Sequence, residues 1–266
     1  MRRFIPFLKS PPQVNVLRLE GAIAATGRGA ALNSANLGAL IERAFRKGKP
    51  AAVALVVNSP GGAPVQSALI AAHIRRLSEE LDVPVHAFVE DVAASGGYWL
   101  ACAADDIWVD PSSVVGSIGV ISASFGFHEL LAKQGIERRV HTAGKDKSML
   151  DPFRPERPAD VKRLKALQSD IHTAFIEHVK SRRGARLSDD KDLFTGEIWL
   201  GARAVEVGLA DGVGHLVPRM KEVYGEKVQF RRLGMRRGLL SRFGVALDDL
   251  LVGRLEARAL WARYGL

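Results

Sequence analysis

Two kinds of apolar pattern alternate along this chain: near-continuous apolar runs ending in Gly, Pro or Asn, and longer segments whose apolar residues recur every three or four positions. The first suits strands buried on both faces and the second amphipathic helices. After a Pro-containing leader, "VNVLRLEGAI" reads as a strand, and "AAVALVVNSPGG" as a buried strand that ends in a breaker cluster. In "PVQSALIAAHIRRLSEEL", Val65, Leu69, Ala72, Ile74 and Leu77 fall near helical spacing, and "VPVHAFVE" is the next strand. A helix starts near Ser95, "DIWVD" is a short strand ending before Pro111, and "SVVGSIGVISAS" is an apolar segment punctuated by glycine. Further on, "GFHELLAKQGI" predicts a helix, "ERRVHTA" a strand and "GKDKSMLDPFRPERPAD" a polar, Pro-rich loop. A long helix runs from about Ala159 to Lys180, with Leu164, Leu167, Ile171, Phe175 and Val179 on one face. "LFTGEIWLGARAVEVGLADGVG" then gives a turn, a short helix and a turn. Strand, helix, strand units of this length predict an α/β fold with a mostly parallel sheet.

Domain organisation follows from where the pattern stops. No internal repeat is present, so residues 14–230 read as one domain, preceded by a leader (1–13) and followed by a tail (231–266). The net charge of +9 is uneven: the tail holds eight arginines against Asp248, Asp249 and Glu256, interleaved with Leu, Phe and Trp. Such a pattern suits an amphipathic helix that docks on protein or on a membrane surface better than it suits nucleic acid. The leader's apolar run, Phe4 to Leu8, is too short for a secretory or membrane-spanning segment, and no later run is long enough to span a bilayer. A cytoplasmic or peripherally membrane-associated protein is the expectation. The lone Cys102, inside "YWLACAA", excludes an intramolecular disulfide and any cysteine-rich metal site, and reads as a buried small residue. No metal or other cofactor is implied.

Candidate chemistry centres on "VEDVAASGGYWLAC". Ser95 stands where a strand meets a helix, and the ordinary role of serine there is to cap free N–H groups. Three features add a nucleophilic reading. Ala94 and Gly96–Gly97 leave room for a substrate backbone. The amide of Gly96 would lie at the positive helix end, where an oxyanion beside Ser95 would form. The earlier strand ends in "NSPGG", and successive parallel strands open on one edge, so Gly61–Gly62 can supply a second oxyanion donor. A tight turn explains the same glycines without chemistry.

The base is less evident. The sequence "AASGG" lacks the glycine two residues before the serine that an α/β-hydrolase elbow requires. His73, His86, His172 and His178 lie within helix or strand patterns, whereas His128 and His141 remain candidates. Lys145 and Lys147 stand on the polar loop; a lysine acts as a base there only if desolvation lowers its pKa from about 10.4.

Taken in order, "NSPGG", "AASGGYW", "GSIGV", "GKDKSMLDPF" and "TGEIWLGARAVEVGLADGVG" closely resemble the short-form signal peptide peptidase A family of the Clp protease/crotonase superfamily, over about four-fifths of the chain. The resemblance implies a Clp/crotonase-like fold of repeated ββα-type units. It also implies a catalytic dyad of Ser95 and Lys147, with Ser117 positioning the lysine and the amides of Gly62 and Gly96 forming the oxyanion hole. The family's short form is a homo-octamer in which the lysine reaches the serine of an adjacent protomer. Two departures stand out: Asp146 replaces the family's tyrosine before the lysine, and the family's N-terminal membrane anchor is missing, which leaves the leader or tail to provide membrane contact. The expected function is hydrolysis of short apolar peptides such as remnant signal peptides, through an acyl-enzyme on Ser95. The alternatives are a Clp-like Ser-His-Asp protease using His128 or His141, a crotonase-type acyl-thioester enzyme, and an inactive assembly scaffold.

Overall fold

A computed structural model of the protein describes residues 11–25, 31–144, 146–234 and 261–265. The leader from 1 to 10 and the tail from 235 to 260 lie outside the described residues. The chain forms two compact units, one made of residues 1–118 and 176–266 and the other of residues 119–175.

The first unit is built on an eight-stranded sheet. Its elements in chain order are β1 (Gln13–Glu20), α1 (Ser34–Arg46), β2 (Ala52–Ser59), α2 (Pro64–Leu81), β3 (Val85–Ala94), α3 (Gly96–Ala101), β4 (Asp106–Val109) and β5 (Val114–Gly116). In the second unit are α4 (His128–Lys133) and the start of α5 (Pro158–Arg183), whose last turns belong to the first unit. The first unit closes with β6 (Ile198–Leu200), α6 (Gly201–Glu206), β7 (Gly212–Val213), α7 (Leu216–Tyr224) and β8 (Gln229–Leu233). The main sheet order is β6-β5-β3-β2-β1-β8, with β4 pairing β3 and β7. All pairs are parallel except β5 with β6.

The apolar runs explain the centre of this sheet. Every residue of β2 is buried, as its unbroken Ala/Val/Leu composition requires of a strand covered on both faces. Helix α2 packs against α1 and α3, and α1 and α3 pack against the sheet, while Met220 of α7 joins Val16, Val56 and Phe88 in a second apolar layer. Helix α2 buries Ile70, Ala71, Ile74 and Leu77, a three-and-four spaced face, and leaves Val65 and Leu69 at 67% and 48% exposure. The apolar face is thus rotated from the one the sequence pattern predicts. Buried Asn15 is satisfied by the carbonyls of Ala44 and Lys47 at 2.7 and 2.9 Å, which ties β1 to the end of α1.

Two elements differ from expectation. "ERRVHTA" forms no strand: Glu137, Arg138 and Arg139 are exposed, and among the described residues no strand pairs with them to satisfy their backbone groups. Residues 231–233, grouped with the tail by charge, are the end of β8, paired in parallel with β1. Cys102 is fully buried as expected, and burial pushes its thiol up to about 12.

Candidate functional site

The sheet register brings the candidate residues to one edge. Glu20 pairs with Asn58, Ser59 with Ala93, and Ala94 with Gly116, so β1, β2, β3 and β5 all end at the same side and their following turns meet there. A register shift between Val57 and Ser59 lets β2 end level with the longer β3.

Ser95 follows β3 directly. Its backbone sits at φ 50° and ψ −122°, a conformation that side chains rarely adopt, and its side chain makes no cap bond to α3. The turn is pinned from both sides: the Ser95 N–H donates to the Gly116 carbonyl at 2.8 Å, and the Trp99 N–H donates to the Ser95 carbonyl at 3.0 Å. The capping role that usually explains a serine here is therefore absent, and the hydroxyl is held out of the backbone's service on a partly exposed residue.

The turn after β2 abuts this serine. A Cβ on Gly61 would come within 2.8 Å of the Ser95 Cβ and 2.7 Å of the Ala94 carbonyl, so only glycine admits the approach. Gly62 is bridged to Ile23: the Ile23 N–H donates to Gly61 O at 2.9 Å, and the Ala63 N–H to Ile23 O at 2.8 Å. The N–H of Gly61 is taken by Ser59 Oγ at 3.2 Å. By contrast, among the described residues no acceptor is bonded to the N–H of Gly62 or of Gly96. The two amides are neighbours, since a Cβ on Gly96 would lie 3.3 Å from the Gly62 nitrogen. Two free N–H donors beside a serine are a combination that can stabilise the oxyanion of acyl transfer.

Ser117 follows β5 and, like Ser95, is forced to φ 50°. It is buried to 9% exposure, its N–H donates to the Glu197 carbonyl at 2.7 Å, and its Oγ accepts from the Tyr264 hydroxyl at 3.4 Å. Since Gly116 receives the Ser95 N–H, the two serines flank one another through the β3–β5 pairing.

Lys147 lies in the second unit, exposed, on a run of turns from 146 to 150. Lys145 is outside the described residues. The carboxylate of Asp146, the residue before Lys147, is bound to Arg163 at 2.9 Å. No described carboxylate pairs with Lys147. The loop is braced within its unit: buried Asp160 accepts from Arg157 Nε and Nη2, both at 2.8 Å, and from the Leu150 N–H at 3.4 Å. Those contacts, led by the Arg157 hydrogen bond and partly offset by desolvation, hold the Asp160 carboxyl below its ordinary range.

The histidines divide as the sequence pattern suggests. His86 is held between Asp106 at 2.9 Å and the Tyr224 hydroxyl at 2.8 Å, and His73 faces Glu42 at 3.2 Å. His178 stacks on Trp99 with ring centroids 4.8 Å apart, and its Nε2 lies 3.2 Å from the Trp99 carbonyl. His128 opens α4 and His141 is exposed, both in the second unit. Of the pair Gly61–Gly62 offered by the sequence, Gly62 keeps a free N–H while Gly61 contributes its close approach to Ser95. Two neighbours escaped sequence reasoning, Arg163, which binds Asp146, and Tyr264, which reaches Ser117, and neither leaves a local trace.

The family described as Peptidase family S49 matches residues 78–226. A Brucella melitensis protein named "Na(+)/H(+) antiporter NhaA" is 48% identical over 286 residues, covering 100% of this chain and 39% of that protein. The transport name belongs to that longer protein; no helix among the described residues here is long and apolar enough to cross a membrane. A putative signal peptide peptidase SppA of Enterococcus faecium is 31% identical over 175 residues, 66% of this chain and 51% of that protein. The chain thus spans about two fifths to one half of the length of these two relatives. Among solved structures, a lysine-to-alanine mutant of the 1510-N membrane-bound stomatin-specific protease, in complex with a substrate peptide, has a TM-score of 0.50 at 14% identity. It covers 93% of this chain and 98% of that one. That likeness shows a shared fold.

Proposed function

We propose, since the chain belongs to peptidase family S49, that it is a serine endopeptidase in which Ser95 attacks the peptide carbonyl and Lys147 takes its proton. The single observation that carries this reading is the pair of free amides, Gly62 and Gly96, beside a serine freed from capping. In the attack, the Ser95 Oγ–C bond forms as the carbonyl π pair moves onto oxygen, where the two N–H groups receive it. The proton passes from Ser95 to the lysine and then to the leaving amine as the peptide C–N bond breaks. Water repeats the sequence to release the acyl group. Ser117 orients the lysine in this scheme. The ion pair of Asp146 with Arg163 supports this role in one respect: it engages the carboxylate next in sequence with a partner other than Lys147.

Substrates are extended apolar segments such as remnant signal peptides. Support comes from the exposed Val65 and Leu69 in the first two turns of α2, the helix that follows the Gly61–Gly62 turn, which offer apolar contact to a bound chain. Assembly into a homo-octamer, with the lysine of one protomer serving the serine of the next, fits the apolar surface of the second unit, where Ile121, Phe125, Leu130, Ile136 and Leu167 are each at least half exposed. Membrane contact falls to the leader or the tail, of which residues 1–10 and 235–260 lie outside the described residues.

Cleavage of an internally quenched apolar peptide tests the reading. Ser95→Ala and Lys147→Ala should each lower kcat/KM by about 10³-fold or more, the scale seen when a nucleophile or its base is lost. Retention of wild-type turnover by Ser95→Ala would discard the serine mechanism, and retention by Lys147→Ala would discard the dyad.

A further inference from the structure

A serine that the mechanism does not use lies behind the oxyanion donors. Ser59 is fully buried and ends β2, a strand whose other residues are apolar except for Asn58. It stands opposite Ala93, two residues before Ser95. Its hydroxyl donates to the carbonyl of Gly21, just after β1, at 2.7 Å and accepts the Gly61 N–H at 3.2 Å. The one proton and one lone pair of Oγ thus join the end of β1 to the glycine turn. On its other side Ser59 packs on α3: a Cβ on Gly97 would run into the Ser59 carbonyl and come within 3.1 Å of the Ser59 Cβ. Ser59 therefore contacts both halves of the donor pair, the turn that carries Gly62 and the helix start that carries Gly96.

These bonds decide which amide of the turn is left over. Buried Gly61 gives its N–H to Ser59, and Ala63 gives its own to the Ile23 carbonyl at 2.8 Å, so the exposed Gly62 between them keeps the free one. Both glycines sit at positive φ, 95° and 142°, where a glycine backbone rotates with little resistance, and the anchor on each side of Gly62 removes that freedom. A buried N–H without an acceptor costs about 1 to 3 kcal/mol. Without the Ser59 hydroxyl, the Gly61 N–H and the Gly21 carbonyl both lose a partner, and the turn must shift to find others. Burial alone does not account for a hydroxyl here, since the alanines and valines of β2 meet the same burial with apolar side chains.

From these contacts we infer that Ser59 is a positioning residue for the oxyanion hole: its hydroxyl fixes the Gly61–Gly62 turn so that the Gly62 N–H stays unpaired beside the Gly96 N–H, where the carbonyl oxygen of a bound peptide gains its charge. The inference rests on the peptidase reading for its effect on turnover, and on hydrogen bonds alone for the hold on the turn. Since the oxyanion exists only after attack, the hydroxyl acts on the transition state and not on the binding of the peptide.

Ser59→Ala in the full-length chain tests this, with Ser78→Ala as the control. Ser78 is also a buried serine, but its hydroxyl donates to the Val83 carbonyl at 2.8 Å at the opposite end of α2 from the glycine turn. On an internally quenched apolar peptide, Ser59→Ala should lower kcat about tenfold, less than the loss of a whole oxyanion donor because both amides remain. KM should stay within about twofold of wild type, and Ser78→Ala should keep the wild-type kcat. A peptide aldehyde, whose hemiacetal oxygen on Ser95 would sit where the oxyanion forms, should inhibit Ser59→Ala about tenfold less tightly. Wild-type kcat and aldehyde inhibition in Ser59→Ala, or an equal loss in both serine variants, would overturn the inference. Hydrogen exchange in segment 60–64, read by mass spectrometry, reports the hold on the turn without catalysis. It should be severalfold faster in Ser59→Ala and unchanged in Ser78→Ala, and unchanged exchange in Ser59→Ala would refute the hold. Ser59→Cys, close in shape but a weak hydrogen-bond partner, should show both effects to a smaller degree, and wild-type values in it would count against the hydroxyl. Absence of cleavage and of aldehyde inhibition in every form, with faster exchange in Ser59→Ala, would instead overturn the peptidase reading and leave the hold on the turn standing.

Discussion

Replacing Ser95 by glycine and by alanine tests whether the turn that presents the hydroxyl is strained by design. At φ 50° and ψ −122° the residue occupies a region that costs a side-chain-bearing residue about 1 to 3 kcal/mol. Alanine retains the Cβ and therefore the strain. Since the serine side chain makes no cap bond, alanine also loses no hydrogen bond. Glycine removes the strain and pays about 0.5 to 1 kcal/mol in unfolded-state freedom. The difference predicts that Ser95→Gly is more stable than Ser95→Ala by about 0.5 to 2 kcal/mol, the reverse of the usual order for these residues. For a chain of this size that is about 1 to 8 °C in Tm, measurable by calorimetry or by urea unfolding followed by circular dichroism. Both variants lack the nucleophile, so the stability order is independent of activity. Ser95→Gly melting at or below Ser95→Ala would refute the claim that strain is stored at this turn.

Two further predictions concern the frame around the site. Arg183 has a side chain only 2% exposed and is neutralised by Asp211 at 2.6 Å; Asp211→Ala leaves that charge buried and should destabilise the protein by about 3 to 5 kcal/mol in urea titrations, whereas a loss under about 1 kcal/mol would show that the pair is dispensable. Burial pushes the pKa of His178 down, offset in part by its bond to the Trp99 carbonyl, so the unfolded chain takes up its proton first. Stability should then fall as pH drops below about 6.5 and level off once the lower folded pKa is passed. His178→Phe, which keeps the stacking on Trp99, should flatten that part of the profile in urea midpoints, and an identical slope in both proteins would contradict the assignment.

The sheet is largely legible because its strands are written as apolar runs closed by breakers: "AAVALVVNSPGG" specifies β2 almost to the residue, and "VPVHAFVE" locates β3, which continues four residues further to Ala94. Helix α1 is not legible in the same way, since Asn36 and Gly38 interrupt its pattern, and its stability comes from the Asn33 side chain capping Asn36 N at 2.8 Å and from packing against α2. The false strand at "ERRVHTA" shows the limit of alternation as a signal: a strand exists only where a partner supplies hydrogen bonds, and sequence spacing does not contain the partner. The site followed the same division. Ser95 and the glycine pairs were recognisable from small residues at strand ends, but which amides remain free, where Asp146 turns and what approaches Ser117 depend on contacts between distant segments.

The central claim is that Ser95 is an activated nucleophile whose base is Lys147. Its most direct test is to treat the assembled protein with a fluorophosphonate and locate the adduct by peptide mass spectrometry. The account predicts one adduct, on Ser95, absent in Ser95→Ala and formed at least about 10²-fold more slowly in Lys147→Ala. An adduct on another residue, or labelling of Ser95 at an unchanged rate without Lys147, would contradict it.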